Sequence, residues 1–194
     1  LRSLVVFISL SFAFLILMIS ILRISSPKYA FYQPDTSQEQ SSFSAHVNYN
    51  LPDPGIGPDN PIWFFKALRD KIWVETTTDP LKRAQLLLLF ADKRLSQASY
   101  LIEEGKVDLG VPTALKAEQY LQEAYKMENE AYALGMDTSE ITEILARASL
   151  KHREVIEKSI AIAPDDAKPI LSQINDISKE VYEKSVQRLN EKGK

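Results

Sequence analysis

The chain has 194 residues, a formal net charge of −3 and no cysteine. The absence of thiols excludes disulfide bonds, cysteine-ligated zinc, iron–sulfur clusters and thiol catalysis. Removing residues 1–23 takes two arginines from the 23 basic residues and none of the 26 acidic ones, so the remainder carries 21 − 26 = −5. This mildly acidic balance argues against nonspecific binding to nucleic acid or to anionic lipid heads.

The first predicted element is a membrane segment. Residues 4–22 form an uncharged run of 19 residues between Arg2 and Arg23. As a helix this run would span about 28 Å, close to the ~30 Å hydrocarbon core of a bilayer. We therefore predict that residues 1–24 are an anchor that contacts the lipid bilayer through residues 4–22. A cleaved signal peptide is the alternative, but its apolar region is usually only about 7–15 residues long.

Two different segments follow the predicted anchor. Residues 25–49 are rich in Ser and Gln and poor in aliphatic side chains, so they are predicted to form a disordered linker. Residues 51–61 contain four prolines and two glycines. This composition predicts an extended, stiff segment that lies on the surface of the domain. The domain itself is predicted to span residues 50–192.

Five helices are predicted after this segment, four of them long and the first one short. Each start has a capping residue or a proline: Asn60-Pro61, Asp79-Pro80, Pro112-Thr113, one of Asp137, Thr138 and Ser139, and Asp165-Asp166. The second helix should end at Gly105 and the third at Leu134-Gly135. The second helix carries an apolar seam with a seven-residue period: Leu81, Ala84, Leu88, Ala91, Leu95, Ala98 and Ile102.

These patterns predict an all-α fold, because no strand pattern follows the membrane segment. Short loops between long helices make consecutive helices antiparallel. We therefore expect an up-and-down antiparallel bundle of four long helices with the short helix laid across it. Tetratricopeptide-like helix pairs are the rival architecture, but the sequence lacks their ~34-residue period.

Histidine and paired carboxylates are the first candidates for a chemical site. The chain has two histidines, and His46 falls in the predicted linker. His152 lies on the inward face of the fourth helix, where we expect a hydrogen-bonded core residue; a metal ligand or a pH-sensitive residue is the alternative. No usual metal ligand lies three or four residues from it, so the helix predicts no metal site of its own. No pair of carboxylates is placed face to face by its spacing.

An aromatic cluster at the first helix is the candidate interaction surface. It consists of Trp63, Phe64, Phe65 and Trp73. Residues 63–65 span about 200° of a helix, so one core-facing side cannot bury all three. The preceding proline-rich segment is the leading candidate to cover the excess aromatic surface. The membrane interface or a protein partner is the alternative.

The chain also resembles a bacterial family of unknown function. The similarity lies in several blocks in order: LPDPGIGPDNP from residue 51, FKALRDKI from residue 65, DPLKRAQLL from residue 79, FADKRL from residue 90, ASLKHREVI from residue 148 and PDDAKP from residue 164. Together they resemble the family DUF5667, from about residue 49 to residue 184, although Gly57 departs from the leucine expected there. The resemblance implies an exported or membrane-anchored helical domain, and it implies no activity or cofactor.

These observations predict a single-pass cell-membrane protein whose helical domain lies on the extracytoplasmic side. We expect a structural or protein-interaction role, with no catalytic residues, no cofactor, no metal and no nucleic acid. The partner is expected to be a protein, and the leucine seam could also close between copies in a homo-oligomer. An envelope sensor that binds an ion or a peptide is the alternative. A hydrolase that uses paired carboxylates is a third possibility, with less support from the sequence than the sensor.

Overall fold

The computed structural model describes residues 47–192. The predicted anchor (residues 1–24), His46 and residues 25–46 of the predicted linker lie outside this range. Residues 47–192 contain five helices and no strand, which confirms the predicted all-α class with one short helix and four long ones. The helices are α1 (Trp63–Thr76), α2 (Pro80–Glu103), α3 (Val107–Ala133), α4 (Ser139–Ile162) and α5 (Lys168–Lys192).

Helix α2 begins and ends as the sequence predicts. The Asp79 side chain accepts a hydrogen bond from the Lys82 amide at 3.0 Å, and Pro80 occupies the first helical position. After the helix, Gly105 adopts a positive φ of 75°, a conformation that a residue with a Cβ rarely adopts. The cap and the glycine therefore set the two ends of this helix.

Helix α3 corrects one predicted boundary. It begins at Val107, five residues before the predicted start at Pro112. The turn that precedes the proline is held by the Lys106 carbonyl, which accepts from the Gly110 amide at 2.9 Å. Val107 and Val111 pack against the apolar core, so tertiary contacts stabilise this turn and the proline lies within the helix.

The four long helices form two hairpins. Helices α2 and α3 pack closely along their lengths, and so do α4 and α5. The chain direction alternates from helix to helix, as predicted. The lateral arrangement differs from a bundle in which every helix packs on the next, because α2 lies beside α4 and α3 beside α5, while α3 and α4 make few contacts. Neighbours from different hairpins therefore run parallel.

The core is divided into two apolar clusters, one toward each end of the bundle. The first contains Leu87, Leu121 and Leu145, and the second contains Leu95, Ile156 and Leu171 among others. On each long helix the change from one cluster to the other occurs near the middle of the bundle. A layer of polar side chains occupies this level.

Within residues 47–192 no helix is both long enough and apolar enough to cross a membrane. The predicted membrane segment at residues 4–22 precedes this range.

Candidate functional site

One polar side chain from each long helix meets its neighbours in the buried layer between the two apolar clusters. Asp92 comes from α2, Glu118 from α3, His152 from α4 and Ser178 from α5. Tyr49, which precedes the first helix, reaches the same layer. We call these five residues the polar cluster.

His152 lies at the centre of the polar cluster. Its Nδ1 is 2.7 Å from Oε1 of Glu118, and its Nε2 is 3.0 Å from Oδ1 of Asp92. A neutral imidazole donates from only one nitrogen, whereas an imidazolium donates from both. Two carboxylates placed on the two ring nitrogens therefore fit a positively charged His152.

Two hydroxyl groups donate the remaining hydrogen bonds to the two carboxylates. The Tyr49 hydroxyl donates to Oδ2 of Asp92 at 2.6 Å, and the Ser178 hydroxyl donates to Oε2 of Glu118. Each carboxylate thus accepts one hydrogen bond on each oxygen. Because an ionised carboxylate only accepts, four donors around two carboxylates match the ionised form.

The electrostatics of His152 agree with this geometry. Burial lowers its pKa, but the charge of Glu118 and hydrogen bonds to both carboxylates outweigh that effect and raise the pKa from 6.5 to about 9. Burial, with the Asp92 charge, raises the pKa of Tyr49 above its ordinary value of 10.0. The phenol therefore stays a donor at neutral pH, and the imidazole stays charged.

The polar cluster joins helices in a layer that is largely closed to solvent. Glu118, His152 and Ser178 are fully buried, and Asp92 is 6% exposed. The Ser178 hydroxyl donates to Glu118, so it is not paired with the imidazole as a nucleophile would be. The expected hydrogen-bonded core histidine is therefore confirmed, and its two partners come from two other helices, α2 and α3.

The polar cluster does not resemble a metal site. Its two carboxylates lie on opposite nitrogens of one ring and do not converge on a common point. More generally, no three His, Asp or Glu side chains within residues 47–192 are grouped so as to hold a metal ion. An open depression on the surface is lined only by residues 182–191 of α5. Because no second element contributes to it, it does not form an enclosed binding site.

Residues 49–59, here called the strap, run along α2 in the same direction as that helix. Besides the Tyr49 contact, Nε2 of Gln97 donates to the Pro54 carbonyl at 2.8 Å and to the Ile56 carbonyl at 3.0 Å. Farther along, Lys106 forms an ion pair with Asp59 at 2.9 Å. The proline-rich segment thus lies on the domain surface as predicted, and its contacts begin at Tyr49, the last residue of the predicted linker.

A second buried polar contact joins α3 to the start of α4. Oε1 of Glu128 accepts from the Thr138 hydroxyl at 2.6 Å and from the Thr142 hydroxyl at 2.8 Å. Thr138 therefore uses its side chain to bind α3 and makes no side-chain cap to its own helix. Both threonines and Glu128 are buried.

The aromatic cluster is split between two faces of α1. The Trp63 ring lies under the Arg94 guanidinium at 4.6 Å, and the Trp73 ring meets Phe90 edge-on at 6.3 Å. Phe64 and Phe65 point the other way, with exposed fractions of 63% and 71%. The strap does not cover these two rings, which corrects the leading expectation that it would.

Phe64 and Phe65 belong to a larger exposed face. Leu68 and Ile72 are also exposed and lie on the same side of α1. At 100° per residue the four positions fall within about 100° of arc. We call Phe64, Phe65, Leu68 and Ile72 the apolar stripe. The sequence predicted its two aromatic members and not its two aliphatic ones.

Comparison with known proteins identifies one family. The family model described as "Domain of unknown function (DUF5667)" matches residues 55–192, which is more than half of the chain. Searches of curated proteins and of solved structures found no match. The family description gives no activity.

Proposed function

The chain belongs to the DUF5667 family, and from its structure we propose that the helical domain is an interaction module held at a membrane, with the apolar stripe of α1 as its contact surface. The proposal assigns the domain no catalytic step. It treats the bundle as a rigid support that holds α1 outward.

The apolar stripe is the observation that carries this proposal. Four large apolar side chains on consecutive turns of one helix are exposed, two of them phenylalanines. Scattered apolar residues are normal on protein surfaces, whereas a contiguous patch indicates a binding surface. The opposite face of α1 is anchored by Trp63, Trp73 and Val74, so the stripe is presented by a helix that is itself attached to the bundle.

The rest of the domain supports a scaffolding role. The polar cluster ties four helices together through buried contacts, and it ties in the strap through a partly buried one. Such a buried network favours one arrangement of the helices over others, because a shifted helix would leave a charge unpaired. A rigid arrangement is what a contact surface requires.

The membrane part of the proposal rests on the sequence of residues 4–22. This uncharged run has the length of a transmembrane helix, and it precedes the strap by fewer than thirty residues. We propose one membrane crossing, with the domain on the extracytoplasmic side of the cell membrane.

Site-specific photo-crosslinking in whole cells tests the proposal. A photoreactive amino acid replaces Phe64 in the full chain, and a matched control replaces Leu134, which is also exposed but lies at the end of α3. We expect the chain in the alkali-resistant membrane fraction and adducts from position 64 that position 134 does not give. Recovery of the chain in the soluble fraction would contradict membrane attachment. Equal adducts at both positions would contradict the assigned surface.

A pH sensor is the second candidate function, favoured by the position of His152. Both ring nitrogens contact carboxylates in a fully buried layer, so the ring cannot lose its proton without removing a charge from the centre of the bundle. A change of charge there would be coupled to opening of the core. Protection factors for amide hydrogen exchange in α4, calculated against the intrinsic exchange rate at each pH, that do not change between mildly acidic and mildly alkaline solution would exclude this candidate.

A further inference from the structure

We propose that the strap acts as a latch whose attachment to α2 is coupled to the charge of His152. The strap stays attached while both ring nitrogens carry a proton, and it detaches more readily once the ring is neutral. This inference rests on the second candidate function, the pH sensor, and it names the segment that moves. It needs neither the membrane attachment nor the apolar stripe.

A continuous path of hydrogen bonds links the strap to His152. The Tyr49 hydroxyl donates to Oδ2 of Asp92 at 2.6 Å, and Oδ1 of the same carboxylate is 3.0 Å from Nε2 of His152. The strap and the imidazole therefore share one carboxylate. Because neighbouring hydrogen bonds in a low-dielectric site polarise one another, a change at one end of this path alters the contact at the other end.

The strap covers the part of the polar cluster that lies nearest to solvent. Tyr49 packs against the first apolar cluster and Leu51 against the second, so the strap passes the level at which the two clusters meet. Asp92, which Tyr49 contacts, is 6% exposed, whereas Glu118 and His152 are fully buried. Detachment of the strap would therefore give water access to Asp92 first.

Loss of one proton from His152 would leave two carboxylates without a cation between them. Asp92 faces the ring from α2 and Glu118 faces it from α3. The other groups in contact with this pair, the Tyr49 phenol of the strap and the Ser178 hydroxyl of α5, carry no charge. A neutral ring also donates from only one nitrogen, so one carboxylate would lose a donor. Buried charge without compensation is costly, and hydration lowers that cost.

Detachment of the strap would supply this hydration at Asp92. Tyr49 donates one hydrogen bond to the carboxylate, whereas several water molecules can donate to it once it is exposed. The gain from hydration is larger when the imidazolium no longer offsets one of the two negative charges. The neutral ring should therefore favour the detached strap. Because binding linkage is reciprocal, detachment should lower the pKa of His152 by the same factor.

The pKa of His152 with the strap attached agrees with this direction. Burial lowers the pKa, yet the Glu118 charge and hydrogen bonds to both carboxylates raise it from 6.5 to about 9. The hydrogen bond of Asp92 is one of the contributions, and hydration of this carboxylate would weaken it. The imidazolium thus belongs to the closed arrangement of the polar cluster.

The strap is held weakly enough to detach before the bundle unfolds. Residues 49–59 form no helix or strand. Beyond Tyr49, they are held by two hydrogen bonds from Gln97 and by the exposed ion pair of Asp59 with Lys106. Single hydrogen bonds and exposed ion pairs each contribute little in water. The long helices bury two apolar clusters, so opening of the strap should be the less costly event.

Histidine NMR on the full chain in detergent measures one side of the coupling. In a His46→Gln background His152 is the only histidine, so its ring signals titrate alone. The test variant, Gln97→Leu, removes two hydrogen bonds to the strap, neither of which involves the polar cluster. The control, Tyr100→Phe, changes an exposed side chain of the same helix. We expect Gln97→Leu to lower the pKa of His152 by about half a pH unit or more, and Tyr100→Phe to leave it unchanged.

Thiol labelling at a series of pH values measures the other side. The chain has no cysteine, so each added thiol reports alone. Leu51→Cys reports detachment of the strap, and Ser149→Cys, at a fully buried position of α4, reports opening of the bundle. Leu134→Cys, at an exposed position, gives the unhindered labelling rate at each pH.

Relative to that unhindered rate, labelling of Leu51→Cys should rise at least about tenfold between about pH 7 and about pH 10, since one pKa unit of coupling corresponds to a factor of ten. It should exceed the labelling of Ser149→Cys at every pH. The rise should disappear when His152→Gln is added to Leu51→Cys.

The outcomes separate this inference from the pH sensor on which it rests. If alkaline solution speeds the labelling of Ser149→Cys and that of Leu51→Cys is no faster, the sensor stands and the latch is refuted. If neither labelling rate changes with pH, both are refuted. A pKa of His152 that Gln97→Leu leaves unchanged or raises would also overturn the latch, as would a pH-dependent rise that persists in His152→Gln.

Discussion

Raising the pH should weaken the fold through the side chain of His152. The ring is fully buried, both nitrogens contact carboxylates, and its pKa is raised from 6.5 to about 9. A group whose pKa is higher in the folded state stabilises the fold fully below its unfolded pKa. This stabilisation is then lost as the pH rises through the folded pKa. The sensitive window therefore runs from about pH 6.5 to about pH 9.

The expected size of the effect follows from the two pKa values. One pKa unit corresponds to about 1.4 kcal/mol, so the interval between 6.5 and about 9 corresponds to about 3 kcal/mol of unfolding free energy. The groups that face His152 are Asp92, Glu118 and, through Asp92, Tyr49. The phenol of Tyr49, with its raised pKa, does not titrate in this window.

Urea unfolding of the full chain at a series of pH values measures this loss. The chain contains only two histidines and no cysteine, so few other side chains titrate in the same window. The test variant is His152→Gln, and the control variant is His46→Gln. We expect His46→Gln to keep the decline. In His152→Gln the stability should be lower near pH 6.5, and its dependence on pH should be largely abolished.

Two results would refute the reasoning. One is an unfolding free energy of the parent chain that stays constant across the window. The other is a decline of equal size in His152→Gln, because the titrating group would then be a different one.

Three substitutions test other contacts by their effect on the unfolding free energy. Tyr49→Phe removes the hydroxyl that donates to Asp92, and should cost about 1–2 kcal/mol and speed hydrogen exchange in the strap. Gly110→Ala should cost about 1–3 kcal/mol by urea unfolding, because the new Cβ would lie 2.5 Å from Cγ1 of Ile102. Glu128→Ala removes the acceptor of the buried Thr138 hydroxyl, while the Thr142 hydroxyl keeps the Thr138 carbonyl at 2.6 Å, and should lower stability in thermal melts by about 1–3 kcal/mol.

Each of these substitutions has a matched control on the surface. Tyr100→Phe, Leu115→Ala and Glu130→Ala change exposed side chains on α2 and α3. Such changes usually alter stability by less than about 0.5 kcal/mol. A buried substitution that costs no more than its control would show that the corresponding contact does not contribute to stability.

The boundaries of most helices and their inward faces were predictable, because local sequence signals determine them. The Asp79-Pro80 start, the Gly105 end and the seven-residue seam of α2 all depend on neighbouring residues in the sequence. The start of α3 was not predictable in this way. Its first turn is stabilised by packing against α2, which outweighs the usual preference of Pro112 for the first position of a helix.

The polar cluster was only partly predictable, because its members come from five segments. The sequence placed His152 in the core and gave no indication of which carboxylates it would meet. One signal was nevertheless present. Asp92, Glu118, His152 and Ser178 each have an apolar residue four positions before and another three positions after, so each occupies the inward face of its helix. A charged residue at such a position implies a partner, and only the fold determines which one.

The path of the strap determines how the chain would carry a mechanical load. Any pull transmitted through the polypeptide before Val47 arrives first at Tyr49, whose hydroxyl is bonded to a carboxylate in the middle of the bundle. The hydrogen bonds from Gln97 and the ion pair of Asp59 come later along the same path. Tension would therefore load the Tyr49–Asp92 contact before the other contacts of the strap, so this hydrogen bond is the first point at which the upstream chain would pull on α2.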